Sequence, residues 1–97
     1  MKTLEEIRDI IEQYKEEIER DFNAEIIAFF GSYVRGEQTE KSDIDLIVKF
    51  KDWATLFDFI GLAEFLEEKL NVRVDIVSER AIREELKEKI LKEAITI

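Results

Sequence analysis

Two aspartates separated by a single residue, Asp43 and Asp45, have a spacing that suggests chemistry. Residues 43–50 alternate in polarity over most of their length, which predicts a β-strand. Residues two apart on a strand point to the same face, so both carboxylates would leave one face with their Cβ atoms roughly 6.5–7 Å apart. Carboxylates at this spacing can bind one divalent cation or hold a pair of ions.

A third carboxylate, that of Asp75, lies in another alternating segment, residues 72–77. If that strand pairs with the 43–50 strand, the Asp75 carboxylate can join the same site. Three carboxylates with no Lys or Arg between them repel one another, and a bound cation is the natural compensation. The chain has no histidine and no cysteine, so its metal ligands must be oxygens, which favours magnesium or manganese.

A Gly-Ser pair, Gly31 and Ser32, directly follows the apolar run at residues 25–30. Glycine allows a sharp turn and a close approach of the backbone to a ligand. A helix that begins at Ser32 would direct its N–H groups and its dipole at a phosphate. Arg35, about one helical turn further on, can contact a phosphate oxygen or fix the loop through an ion pair. These residues predict a phosphate-binding loop facing the carboxylates, the combination that phosphoryl or nucleotidyl transfer needs.

Each of these features also has an ordinary structural interpretation. A Gly-Ser pair after a strand is usually a turn, and a single arginine is usually a solvated surface residue. A single aspartate such as Asp75 is common on a half-exposed strand. The hypothesis of a functional site therefore depends on the occurrence of all these features together.

The remaining elements must position this segment. At the N-terminus of the chain, the spacing of apolar residues predicts an amphipathic helix, and Thr3 and Glu6 form a capping-box pattern at its first turn. The apolar run predicts a strand covered on both faces. Residues 94–97 could add a short strand. The expected fold is a single α+β domain over residues 1–97, an α/β sandwich whose small mixed sheet of three to four strands carries helices mainly on one face. The predicted helices are 3–20, 53–69 and 79–93 (the last capped by Ser78), and the predicted strands are 25–30, 43–50 and 72–77.

Composition narrows the possible partners. The formal net charge of −9 disfavours direct nucleic-acid binding and favours a basic protein surface as partner. No apolar run is long enough to span a membrane and no signal peptide is visible, so we expect no membrane association and a cytoplasmic protein. The 53–69 helix carries more apolar residues than one sheet contact needs. We interpret this face mainly as core, and we predict that its surplus at Phe59, Leu62 and Phe65, or the short C-terminal segment, docks a partner.

The pattern "GSYVRG" followed by "SDIDL" resembles the signature of the polymerase-β-type nucleotidyltransferases, and the short chain resembles the minimal nucleotidyltransferases among them. The resemblance implies that Gly31 and Ser32 hold a nucleoside triphosphate. It also implies that Asp43 and Asp45 bind two Mg²⁺ ions. By the same resemblance, Asp75 is a further metal ligand and a candidate base for the incoming hydroxyl.

Minimal nucleotidyltransferases are antitoxin partners of HEPN-domain RNase toxins, and this leaves two hypotheses. In the first, the protein is a Mg²⁺-dependent protein adenylyltransferase that moves AMP from ATP onto a hydroxyl, by resemblance a tyrosine, of a HEPN toxin. In the second, it is a non-catalytic binding module that covers the toxin, and its nucleotide site is vestigial or regulatory. An intact set of Asp43, Asp45 and Asp75 favours the first hypothesis.

Overall fold

The computed structural model describes residues 3–31 and 43–97 of the chain. Helices and strands mix along the sequence, which confirms the expected α+β class. Within the described residues the elements are α1 (Leu4–Gln13), α2 (Lys15–Phe22), β1 (Ala24–Phe30), β2 (Ile44–Phe50), α3 (Leu56–Leu70), β3 (Val74–Ser78), a 3₁₀ turn (Glu79–Ala81), α4 (Glu84–Glu93) and β4 (Ile95–Thr96).

The strands form one mixed sheet in the order β3-β2-β1-β4. β2 runs antiparallel to β1 and parallel to β3, while the two-residue β4 pairs antiparallel with the far edge of β1. The C-terminal segment therefore does add a fourth strand, within the predicted range. A bulge between Ile26 and Ala28 shifts the register of β1 against β2 by one residue. The bulge reverses which face of the sheet the later β1 side chains occupy.

The core lies between the helices and one face of the sheet. β2 contributes Ile44, Leu46 and Val48, which alternate along the strand as the sequence predicts and are fully buried. Burial of such side chains stabilises the fold by about 1.5–3 kcal/mol each. The helices supply the facing residues, among them Ile7, Ile11, Ile18, Leu62, Leu66 and Leu70.

The N-terminal segment forms two helices where the sequence predicts one. The predicted cap at Thr3 is present, since its Oγ1 accepts a hydrogen bond from the Glu6 N–H at 3.2 Å. The helix is interrupted at Tyr14, whose φ and ψ of −102° and 9° leave the helical region. The Tyr14 ring packs edge-on against Phe65, with their centroids 5.5 Å apart. This tertiary contact accompanies a break that the helical periodicity does not reveal.

The α3 helix starts later than predicted, at Leu56 rather than residue 53. Thr55 is its N-cap, and the Asp58 carboxylate accepts the Thr55 N–H at 2.9 Å to complete a capping box. The helix ends at Leu70, and the next residue, Asn71, adopts the left-handed conformation common after a C-terminus. Trp53 therefore lies in the turn before the helix and outside it.

The expectation that the whole apolar face of 53–69 belongs to the core is wrong for its first half. Four large apolar side chains there are exposed: Trp53, Leu56, Phe57 and Ile60. The three residues named as surplus behave differently, since Leu62 is fully buried while Phe59 and Phe65 are half-buried with ring contacts. The exposed apolar surface therefore lies nearer the start of the helix than predicted.

The last predicted helix is also divided. Ser78 ends β3 in an extended conformation without forming a side-chain cap, and a single 3₁₀ turn follows it. Ile82 is extended (φ −76°, ψ 126°), which separates this turn from α4. No helix in the described ranges is both long and apolar enough to cross a membrane.

Candidate active site

The candidate site lies where the end of β1 meets the start of β2. Phe30, the last residue of β1, is directly opposite Asp45 across the antiparallel pair. Gly31 follows immediately, with a φ of +88°, a left-handed conformation that favours glycine. The strand order thus brings the predicted glycine turn and one predicted carboxylate together.

Gly31 and Asp45 approach each other so closely that a Cβ atom at position 31 would force the Asp45 carboxylate to move. A Cβ atom built on Gly31 overlaps Oδ2 of Asp45 and lies 3.0 Å from its Cγ. The backbone conformation therefore favours glycine here, and any other residue would also displace the adjacent carboxylate. The sharp turn expected at Gly31 is therefore present, while its role in phosphate binding stays a prediction.

Asp45 and Asp75 are paired residues on neighbouring parallel strands. Paired residues on adjacent strands point to the same face, and such strands lie about 4.8 Å apart. The condition under which Asp75 could join the site, that its strand neighbours the 43–50 strand, is therefore met. Both aspartates occupy the face of the sheet opposite the buried Ile44 and Leu46.

Asp43 lies one residue before β2 and is half-buried, as is Asp45, whereas Asp75 is exposed. Hydrogen bonds fix the backbone around these carboxylates. The N–H of Ile44 donates to the carbonyl of Arg73 at 2.8 Å, which ties the start of β2 to the segment before β3. The N–H of Val74 in turn donates to the Glu67 carboxylate of α3 at 3.1 Å, so α3 anchors the start of β3.

Two of the predicted phosphate-binding residues, Ser32 and Arg35, lie outside the described residues. Among residues 3–31 and 43–97, no three acidic side chains are grouped closely enough to form a ready metal site. The strand register brings Asp45 and Asp75 side by side, and the shared three-carboxylate site that includes Asp43 stays a prediction.

The available ligands fit a hard divalent cation. The site offers carboxylate oxygens, which magnesium prefers over nitrogen or sulfur ligands. Two carboxylates in register on one face place negative charges side by side, and a divalent cation bound between them would offset their repulsion. Asp43, Asp45 and Asp75 are the residues that would hold it.

Phe30 is a site neighbour that sequence reasoning does not single out. Its pairing with Asp45 places it on the carboxylate face, where it is half-buried. It reaches that face because the bulge after Ile26 shifts the alternation of β1. A continuous apolar run carries no signal of such a shift, so this placement could not be predicted from the sequence.

The chain belongs to the nucleotidyltransferase domain family, whose model matches residues 7–97. The match includes both strands that carry the aspartates and the turn at Gly31. The described α+β fold agrees with this membership.

Three similar proteins extend this result. The protein adenylyltransferase MntA of Thermococcus cleftensis is 40% identical over 97 residues, which cover 100% of this chain and 98% of the relative. A solved structure provisionally assigned as a minimal nucleotidyltransferase superposes with a TM-score of 0.82 at 42% identity, covering 99% of this chain and 97% of that one. A crystal structure of a toxin–antitoxin complex with AMP-PNP superposes with a TM-score of 0.68 at 29% identity, covering 88% and 70%.

Proposed function

We propose that the protein is a Mg²⁺-dependent protein adenylyltransferase and acts as an antitoxin. It transfers AMP from ATP to a tyrosine hydroxyl of a HEPN-domain toxin and thereby inactivates that toxin. Two neighbouring contacts carry the proposal. Gly31 lies directly against the Asp45 carboxylate, and Asp45 is paired with Asp75 on the adjacent parallel strand. The similarity to a named protein adenylyltransferase and to a toxin–antitoxin complex with an ATP analogue supports it.

The chain's own residues have distinct parts in this reaction. Gly31 lets the backbone pass close to the Asp45 carboxylate, so that triphosphate and metal can share one small region. Ser32 and Arg35 contribute phosphate contacts in the proposal. Bound magnesium would stabilise the negative charge that develops on the phosphoryl oxygens and the departing pyrophosphate.

Asp75 is the residue proposed to receive the acceptor's proton. It is more exposed than Asp45 and lies on β3, the strand at the edge of the sheet, so an incoming protein side chain can reach it. The tyrosine oxygen forms a bond to the α-phosphorus of ATP while the bond from that phosphorus to the bridging oxygen breaks. Pyrophosphate leaves, and the hydroxyl proton passes to the Asp75 carboxylate.

Incubation of the purified protein with ATP, MgCl₂ and its cognate HEPN toxin tests the proposal. Intact-mass spectrometry of the HEPN protein should show the addition of one or more AMP groups, and fragment spectra should locate them on tyrosine. Replacement of Asp45 by Asn should abolish the modification while preserving the circular dichroism spectrum. An unmodified HEPN protein in the wild-type reaction would refute the proposal.

A second candidate function is neutralisation by binding alone, favoured by the exposed apolar surface at the start of α3. The same reaction separates the two functions when the RNase activity of the toxin is measured in parallel. Inhibition that needs ATP and persists after the antitoxin is removed indicates adenylylation. Inhibition that needs equimolar antitoxin and no ATP indicates occlusion.

A further inference from the structure

The surface around the start of α3 exposes four large apolar side chains, which together we name the α3 patch: Trp53 (67% exposed), Leu56 (71%), Phe57 (86%) and Ile60 (47%). Of the large apolar side chains classed as exposed in the described part of the chain, all but Leu86 lie here. The core uses other positions of the same helix, Leu62, Leu66 and Leu70, so the patch is not part of the core. Contiguous apolar exposure of this kind is characteristic of interaction sites.

Trp53 is held in a fixed orientation although it is exposed. Its Nε1–H donates to Oδ1 of Asn23 at 3.0 Å, and the Lys51 ammonium lies 5.5 Å from the ring centroid. The Asn23 amide also donates to the Asp58 carboxylate at 3.3 Å, which links Trp53 to the capping box of α3. A side chain already ordered before binding loses little entropy on binding, and tryptophan is enriched among the residues that dominate interface energies.

A cleft of about 320 Å³ adjoins the patch. Leu56 belongs to both the patch and the cleft, and Phe50 and Phe59, whose rings pack with centroids 5.6 Å apart, form an apolar part of its lining. The ion pair between Arg80 and Asp52 provides a polar rim. The cleft is large enough for one apolar side chain of a partner protein, next to the flat contact offered by Phe57.

The charge around the patch indicates what kind of partner fits. Ile60, Glu64 and Glu68 follow at four-residue steps along α3, so the apolar stripe continues as an acidic one. Both glutamates are exposed. A second copy of this chain, with its own net charge of −9, would be repelled by this surface. A protein surface with an apolar side chain flanked by Lys or Arg complements it.

The size of the patch supports the same assignment. A large aromatic side chain has a surface of about 150–250 Å². At their exposed fractions, the four side chains of the patch together expose on the order of 500 Å². A standard protein–protein interface buries about 800 Å² per partner. The patch is therefore large enough to form the apolar centre of an interface, with the acidic stripe and the Arg80–Asp52 pair as its rim.

We propose that the α3 patch is the docking surface for the protein that receives AMP, which deepens the proposed function and rests on it. Phe50, which lines the cleft, lies five residues along β2 from Asp45, roughly 17 Å at the rise of a strand. The acceptor protein is thus held at the end of the sheet opposite the carboxylates. Docking sets the affinity for the acceptor and leaves ATP binding and the chemical step unchanged.

Two substitutions of the most exposed patch residue, Phe57→Lys and Phe57→Glu, test this inference. Glu12→Gln, on the exposed side of α1, is the control for Phe57→Lys because it also changes the net charge by +1. Calorimetric titration with the cognate HEPN toxin should give an affinity at least tenfold weaker for both Phe57 variants. The loss should be larger for Lys than for Glu, because the partner's rim is cationic. The control should bind like the wild type.

Steady-state AMP transfer supplies the second readout. The Phe57 variants should show a raised KM for the acceptor, an unchanged kcat and unchanged ATP affinity. If both Phe57 variants transfer AMP with the acceptor KM of the wild type, the docking surface is wrong and the proposed function still stands. Binding that depends on Phe57 without any AMP transfer would support the docking surface and refute the proposed function. Failure of the wild type to bind, or self-association that Phe57→Lys abolishes, would overturn the docking proposal.

Discussion

Replacement of Gly31 by alanine should damage the site in a way that depends on Asp45. The φ of +88° costs a non-glycine residue about 1–2 kcal/mol. The added Cβ also overlaps Oδ2 of Asp45, so that carboxylate must move. We expect the two effects together to lower the free energy of unfolding by about 2–3 kcal/mol, with a fall in Tm of roughly 10–20 °C for a domain of this size.

A double-mutant cycle separates the two effects. In an Asp45→Ala background the overlapping atoms are absent, so Gly31→Ala should cost only the conformational term of about 1–2 kcal/mol. The coupling energy of about 1 kcal/mol falls within the range measured for contacting residues. Urea denaturation followed by circular dichroism measures each corner of the cycle.

The other described glycine provides the matched control. Gly61 lies within α3, where an added Cβ would approach Cε1 of Phe22 at 3.0 Å and the helix would gain propensity. We expect Gly61→Ala to change stability by no more than about 1 kcal/mol, to the same extent with or without Asp45. Equal costs of Gly31→Ala in both backgrounds would refute the inference that Gly31 and Asp45 are in direct apposition.

Three further outcomes follow from the site and its supports. Asp43→Asn should sharply weaken Mg²⁺-dependent ATP binding while leaving the fold of the apoprotein intact, and unchanged ATP affinity in calorimetry would remove Asp43 from the site. Asp75→Ala should retain much of the ATP binding but lose AMP transfer by orders of magnitude, and near-wild-type transfer would make Asp75 structural. Thr55→Ala should lower stability by about 1 kcal/mol in thermal unfolding, because Thr55 and Asp58 form the capping box of α3, and an unchanged Tm would argue against that cap.

The parts of the site that depend on strand periodicity could be predicted from the sequence. Alternation places Asp43 and Asp45 on the face opposite Ile44 and Leu46, and this face assignment follows from the two-residue period alone. The sequence left open whether the strand that carries Asp75 neighbours β2, and the structure supplies both that adjacency and the parallel register of Asp45 with Asp75. The face assignment depends on local alternation, whereas the pairing depends on how the crossover through α3 returns the chain to the sheet.

Other features depend on tertiary packing and could not be predicted. The bulge after Ile26 leaves no mark in a continuous apolar run, yet it determines which face Phe30 occupies. The break at Tyr14 accompanies a contact with Phe65, which lies far along the chain. The later start of α3 was visible in the Thr55–Asp58 capping pattern, but the apolar residues before it extend the helical periodicity and conceal the boundary.

The most direct test of the account follows the two ends of ATP separately. Reactions with the HEPN protein and Mg²⁺ should use ATP labelled on either the α- or the γ-phosphate. The site predicts α-label on the HEPN protein, no γ-label, and loss of the α-label when Asp45 is replaced by Asn. Transfer of the γ-label would contradict the account because it would make the reaction a phosphorylation, and α-label that persists in the Asp45→Asn variant would contradict it because the carboxylates would not be the site.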